Sequence, residues 1–196
     1  MKQKIAIFEK PNQEFLNYIT DLNNKIVETI PVKEASIGFE EESREDKKTR
    51  ITKVRWLNET TPELYNNTTA MLNYYINKAN MDMFGFDISG VCRYVQHTEY
   101  NPSSFYNWHQ DSFLGSNRDH LYERKLSFTV QLSDSDAYTG GDLEFLEVPS
   151  SPELREQLRQ KGTVIVFPSF LQHRVTEITE GQRHALVSWR EGKQWT

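Results

Sequence analysis

The sequence predicts a mainly β protein, a sandwich or jelly roll with helices packed on it, and three observations carry that expectation. From about residue 88 the chain becomes a series of short β-rich runs separated by turn residues. Before residue 88, two stretches repeat their apolar residues at helical spacing. Strands and helices do not alternate along the chain, which argues against a parallel sheet and for helices laid on antiparallel strands.

The first helix is expected from Pro11, with Phe15, Ile19, Leu22 and Ile26 at spacings of four, three and four. A second should begin at "TTPEL". Thr61 would be its N-cap, and Pro62 would sit in the first turn, where its missing N–H costs nothing. Leu64, Leu72, Ile76 and Ala79 fall on or near its buried face. The β-rich runs are "SGVCRYVQH", "RKLSFTVQLS", "GDLEFLEV", "GTVIVFP", "HRVTEI" and "RHALVSW". Only 151–162 breaks the series, reading as a short helix capped by Ser151, with Pro152 first and Gly162 at its end. Gly140 and Gly141 suit a tight turn that needs positive φ. "VQHTEYNPSSFYNW" reads as a long loop. The run 40–50 alternates charge sign and reads as a solvated loop, or as a lid over a site that closes in the 34–50 region.

A chain of 196 residues is expected to form one domain, 1–196. Residues 1–87 would be a helical/β N-terminal buttress and 88–192 the β core. No apolar run reaches the ~18 residues that span a bilayer, and the N-terminus does not read as a signal peptide. One cysteine, Cys92, allows no internal disulfide, so a reducing, cytoplasmic setting is expected. The N-x-T sequons at Asn58, Asn66 and Asn67 are then chance matches. A net charge of −5 disfavours a broad nucleic-acid surface.

His109 and Asp111 stand two apart, a spacing that puts both side chains on one face of a strand. Either alone is ordinary polarity. His173, near the start of another strand, supplies a third donor, and two imidazoles with one carboxylate form the triad that leaves positions open on Fe(II). Arg183 lies ten residues further on. If Thr179-Glu180-Gly181 is a three-residue hairpin loop, His173 pairs with Val187. Arg183 then shares the face of His173, displaced by about 13 Å along the strand. That gap suits a five-carbon keto-diacid chelated at one end and held by the guanidinium at the other.

"YNWHQD", "RKLSFTVQLSDSDAYTGGDLEFL" and "GTVIVFPSFLQHRVTEITEGQRHALVSW" together resemble the prolyl 4-hydroxylase branch, PKHD-type, of the Fe(II)/2-oxoglutarate-dependent dioxygenases. The resemblance covers about residues 88–192. Tyr106, His109 and Asp111 match its Y-x-x-H-x-D pattern, Leu126 to Leu143 its middle stretch, and His173, Arg183 and Trp189 its distal residues. The resemblance implies a double-stranded β-helix (cupin-like jelly roll) core, with Fe(II) on His109, Asp111 and His173. It further implies that Arg183 holds 2-oxoglutarate, that O2 is the oxidant, and that ascorbate is a candidate reductant. Tyr94 resembles a family tyrosine that bonds the co-substrate. Thr129 and Gln131 form the polar side of their strand and are further co-substrate candidates, while Tyr106 and Trp189 are candidate wall residues. Trp108, His97, His120 and His184 are expected to be ordinary packing or polar residues, with His184 facing away from Arg183.

The expected activity is hydroxylation of an amino-acid side chain, foremost proline in a peptide or protein, with release of succinate and CO2. No nucleic-acid or membrane partner is expected. Three alternatives stand beside it: action on a free amino acid or other small molecule, a non-catalytic jelly-roll binding module, and another metal chemistry such as a cupin-type isomerase.

Overall fold

The structure is a computed structural model that describes residues 4–8, 12–37, 45–57, 62–90, 92, 94–112 and 122–195. Its elements in chain order are β1 (Ala6–Phe8), α1 (Gln13–Thr29), β2 (Lys33–Glu34), β3 (Arg50–Ile51), β4 (Lys53–Trp56) and α2 (Pro62–Ala79). After a π-helical turn at Asn80–Phe84 come β5 (Val95–Tyr100), β6 (Phe105–His109), β7 (Tyr122–Gln131), β8 (Tyr138–Gly140) and β9 (Leu143–Phe145). Then follow α3 (Pro152–Arg159), β10 (Val164–Pro168), β11 (His173–Val175), β12 (Ile178–Gly181) and β13 (Arg183–Lys193). No helix among the described residues is long and apolar enough to cross a membrane.

A seven-stranded sheet has the order β1-β10-β7-β13-β5-β4-β2, a four-stranded sheet the order β3-β6-β11-β9, and β12 pairs with β8. Every pairing is antiparallel. The strand period of two sorts side chains into two cores. Outward residues Leu126, Phe128, Val130, Val166 and Leu186 join Ile19, Leu22 and Ile26 of α1 and Leu72 and Ile76 of α2. Inward residues Ile165 and Phe167 join Leu143, Phe145, Val175 and Ile178 from the opposing strands. The result is the expected jelly roll with helices against its larger sheet. The N-terminal segment does more than lie against the core, because β1, β2 and β4 extend the larger sheet and β3 extends the smaller one.

Local sequence accounts for the helices. Asn12 caps α1, its side chain accepting from the Phe15 N–H at 2.9 Å. Pro62 opens α2; Pro11 and Thr61 lie outside the described residues. Ser151 caps α3 by accepting from the Leu154 N–H at 3.1 Å, with Pro152 first. That helix ends at Arg159 rather than at Gly162. Arg159 reaches back to the carbonyls of Ser135, Tyr138 and Gly140 and to Asp142, while Gln160 leaves helical geometry with ψ 130°.

Two further expectations are corrected. Residues 95–108 are not a loop but β5, a tight turn around Asn101–Ser104, and β6. The polar residues Gln96 and Thr98 disguised β5 because they face an internal cavity rather than water. The strands flanking Gly181 are also not a hairpin. Gly181 does take φ +75°, but there the chain passes from one sheet to the other. β13 has both edges filled by β5 and β7, and β11 has both filled by β6 and β9, so His173 faces His109 and Phe145, not Val187.

Behind the larger sheet, His97 and His184 are buried rather than solvated, and His184 faces away from Arg183 as expected. His97 Nε2–H donates to Asn23 Oδ1 at 2.9 Å and His184 Nδ1–H to the same oxygen at 3.1 Å. Burial, with His184 and Arg55 adding to it, pushes His97 down to about 3. The unfolded chain therefore takes up this proton first, and stability falls as pH drops from 6.5. For this group the expected loss is about 1–2 kcal/mol between pH 6.5 and 5. Urea unfolding of His97→Gln at the two pH values should show a correspondingly smaller difference than wild type. An identical difference would remove His97 from the acid sensitivity.

Candidate functional site

Between the sheets lies a cavity of about 430 Å³ whose wall includes His109, Asp111, His173 and Arg183. His109 ends β6 and His173 opens β11, and the two are direct cross-strand partners. Asp111 lies just beyond β6, not on it. Its N–H donates to Ser169 O at 2.9 Å, which anchors the chain after the strand has ended.

The donor set fits a divalent metal. His109 Nδ1 bonds Asn107 O at 2.7 Å and His173 Nδ1 bonds Leu171 O at 2.9 Å. A carbonyl only accepts, so both Nδ1 atoms carry the proton and both Nε2 lone pairs are left for a cation. Those Nε2 atoms lie 3.7 Å and 3.6 Å from the two Asp111 oxygens, too far for hydrogen bonds. Ligands about 2.1 Å from one ion lie roughly 3–4 Å apart, so the three residues could hold a metal. All three ligand atoms lie within 4.8 Å of one another. Burial, then the neighbouring His173, pushes His109 well below its ordinary range, which keeps it neutral. Burial alone would raise Asp111, but the two imidazoles, Arg124 and a hydrogen bond from Ser127 outweigh it and hold the carboxylate ionised.

Aromatic packing fixes the rings. Tyr106 stacks on His109 with centroids 3.4 Å apart, and Phe167 meets His173 edge-on at 4.7 Å. Tyr106 and Trp189 both line the cavity, as do Tyr94 and Thr129. Gln131 does not line it. It lies two residues beyond Thr129 on the same strand face and is fully buried. Trp108 stays on the outside, half-covered by the Arg174 guanidinium at 4.8 Å. His120 lies outside the described residues, as do 38–44 of the expected lid; the flanking Ser36 and Ile37 line the cavity.

Arg183 begins β13 opposite Tyr100 at the end of β5, with its guanidinium 5.2 Å from that ring. It is 3% exposed, and no carboxylate among the described residues pairs with it. Tyr94 is six residues from Tyr100, about 20 Å along the strand direction, so it stands at the far end of the cavity from Arg183. Tyr100 is a cavity residue that the sequence reading did not name. The available signal was its position immediately before the "NPSS" turn, nine residues ahead of His109. Three more residues escaped the sequence reading. Ser127 donates to Asp111 Oδ2 at 2.6 Å. Arg124 lies 3.8 Å over the Trp189 ring, and Arg50 lies 4.6 Å over the Tyr106 ring.

Because Ser127 both orients Asp111 and stabilises its charge, Ser127→Ala should weaken divalent-metal binding by about ten-fold. Anaerobic titration with Fe(II) or Co(II) measures this, and unchanged affinity in a folded variant would show the bond to be incidental.

Residues 95–191 match the family model of the 2OG-Fe(II) oxygenase superfamily. A PKHD-type hydroxylase of Synechococcus sp. (strain JA-2-3B'a(2-13)) is 34% identical over 90 residues, 46% of this chain and 39% of that protein. One from Parvibaculum lavamentivorans is 35% identical over 95 residues, 47% and 39% of the two chains. The matched stretch thus spans about two-fifths of these relatives' length. In fold, the chain is similar to a Pseudomonas putida prolyl-4-hydroxylase (TM-score 0.65, 15% identity, 97% of this chain and 94% of that one). It is also similar to a Trichoplax adhaerens prolyl hydroxylase solved with a hypoxia inducible factor peptide fragment (TM-score 0.66, 17% identity, 95% and 83%). The double-stranded β-helix expected from the sequence is the fold these structures share with it. Through residues 95–191, this chain belongs to the 2OG-Fe(II) oxygenase superfamily.

Proposed function

We propose that the protein is an Fe(II)- and 2-oxoglutarate-dependent dioxygenase that hydroxylates an amino-acid side chain, foremost proline in a peptide or protein. The observation that carries this reading is a His-Asp-His cluster sharing one cavity with a buried guanidinium that no carboxylate among the described residues pairs with. An unpaired buried cation is costly by several kcal/mol unless something anionic joins it. The distal carboxylate of 2-oxoglutarate is such a group, and a planar guanidinium takes a carboxylate in two parallel bonds. The metal ligands would be His109, Asp111 and His173, and the co-substrate residue Arg183, with Tyr100 packed against it. Thr129 and Tyr94 are further wall positions for co-substrate or substrate. The prolyl hydroxylase of similar fold solved with a peptide fragment and the PKHD-type relatives support the choice of substrate class.

With Fe(II) and 2-oxoglutarate bound, O2 would be the oxidant, one oxygen atom going into succinate as the keto-acid loses CO2 and the other into a substrate C–H as hydroxyl. The chain's own contribution is position and charge. The carbonyls of Asn107 and Leu171 fix both imidazole tautomers, and Ser127 fixes the carboxylate. Tyr106 and Phe167 prevent the rings from turning, and the apolar wall residues Leu143, Val175 and Val187 limit water around the reacting atoms.

Anaerobic titration of the metal-free protein with Fe(II) and then 2-oxoglutarate should produce the weak visible charge-transfer band of a chelated keto-acid. His173→Ala should abolish the band. Arg183→Met should weaken 2-oxoglutarate binding by roughly ten- to a hundred-fold, the loss of a charge-assisted pair. A folded, iron-loaded wild type that gives no band would overturn the reading.

A further inference from the structure

The cavity carries more positive charge than its proposed metal and co-substrate use. Among the described lining residues, Arg50, Arg124 and Arg183 are opposed by one acid, Asp111. Fe(II) and a dianionic keto-acid cancel each other, so the excess of positive charge on the lining remains. Arg124 has its balance in Asp111 and Glu191. Among the described residues no carboxylate pairs with Arg50.

Arg50 sits on β3, cross-strand from Tyr106, and is only 8% exposed. One nitrogen, Nη1, donates to Ser36 O at a long 3.3 Å. Its Nε is buried with no hydrogen-bond partner, and no carboxylate among the described residues pairs with it. Leaving a charged donor desolvated and unsatisfied is costly, so a position that keeps one suits a ligand that completes it. The guanidinium lies over Tyr106, whose ring stacks in turn on His109, so it stands one aromatic ring from a metal ligand. A five-carbon keto-diacid held by the triad and Arg183 has both carboxylates engaged and none left for Arg50.

We propose that Arg50 is the docking cation for a carboxylate of the substrate, and that the substrate is a carboxylate-bearing amino acid or short peptide segment. The proposal rests on the oxygenase reading above and names its substrate class. Arg50 lies outside the stretch matched by the family model, so this specificity belongs to the N-terminal part of the chain. Ser36 shares the same part of the wall, and the Tyr106 ring gives it an apolar face. A carboxylate at Arg50 with an apolar body against that ring uses both kinds of surface.

Two matched probe pairs test it, N-acetylproline against N-acetylprolinamide and propionate against propionamide. Each is titrated calorimetrically into the protein held anaerobically with Fe(II) and 2-oxoglutarate. In wild type the acids should bind about ten-fold or more tightly than the amides. Arg50→Gln should remove that difference, and Arg50→Lys, which keeps the charge without the planar fork, should retain part of it. Circular dichroism confirms that each variant is folded. Equal binding of acid and amide in wild type, or an undiminished preference in Arg50→Gln, overturns the proposal. So does a weakening of 2-oxoglutarate itself in Arg50→Gln, read from the charge-transfer titration, with no change in acid preference, because Arg50 would then serve the co-substrate. Failure of the oxygenase reading is seen separately as absence of the band in wild type. An acid preference dependent on Arg50 can still be read on the metal-loaded protein in that case.

Discussion

Cross-strand contact between His109 and His173 is the constraint on which the rest of the site depends. The two residues are far apart in sequence and become neighbours only because β6 and β11 lie side by side in the smaller sheet. β11 is three residues long and is held on its other edge by β9. Its position therefore depends on the edge-to-face contact of Phe145 and Phe167, 4.9 Å apart, across the space between the sheets. With ring centroids 4.1 Å apart and both side chains largely buried, the two imidazoles could not both be charged without strong repulsion. Burial resolves that conflict at His109 by favouring the neutral ring, which is also the form a cation requires.

The larger sheet makes such a polar interior affordable by dividing its labour between two faces. Its outer face buries Leu126, Phe128, Val130, Val166 and Leu186 against two helices. Each such side chain contributes about 1.5–3 kcal/mol. Its inner face carries Ser127 and Thr129 on β7 and Arg183 on β13, all nine-tenths or more buried. Desolvating a guanidinium costs several kcal/mol, comparable to two or three of those apolar contacts, so the helix-covered face can offset it. The period of two ensures that strengthening one face leaves the chemistry of the other untouched.

Much of this was legible in the sequence because the decisive residues sit at fixed offsets within short segments. His109 and Asp111 are two apart, His173 opens a β-rich run, and Arg183 opens the next, so residue type and order were enough to nominate them. Partnering was not legible. The sequence reading joined β11 to β13 as a hairpin because Gly181 has the residue type for a positive-φ turn, and it does take that conformation. The glycine turn carries no information about which sheet the following strand enters, and long-range pairing decided that. The same limit hid Tyr100, Ser127 and Arg50, each of which matters through a neighbour from another strand. It also made β5 look like a loop, since Gln96 and Thr98 read as solvated until a cavity is known to exist.

Chemistry and access draw on different parts of the chain. The proposed metal ligands and Arg183 all fall within 95–191, the matched stretch, whereas Ser36, Ile37, Arg50 and Trp56 come from before it. β3 attaches to the edge of the smaller sheet and β4 to that of the larger, so these residues reach the cavity from the strands at its margin. An edge strand can change its side chains without disturbing the central ladders that position the triad. The Arg50 guanidinium lies over the ring of Tyr106, and that ring stacks in turn on His109. The proposed role of Arg50 thus falls on a strand other than those that carry the proposed metal ligands, and a family match confined to the core cannot by itself carry the choice of substrate.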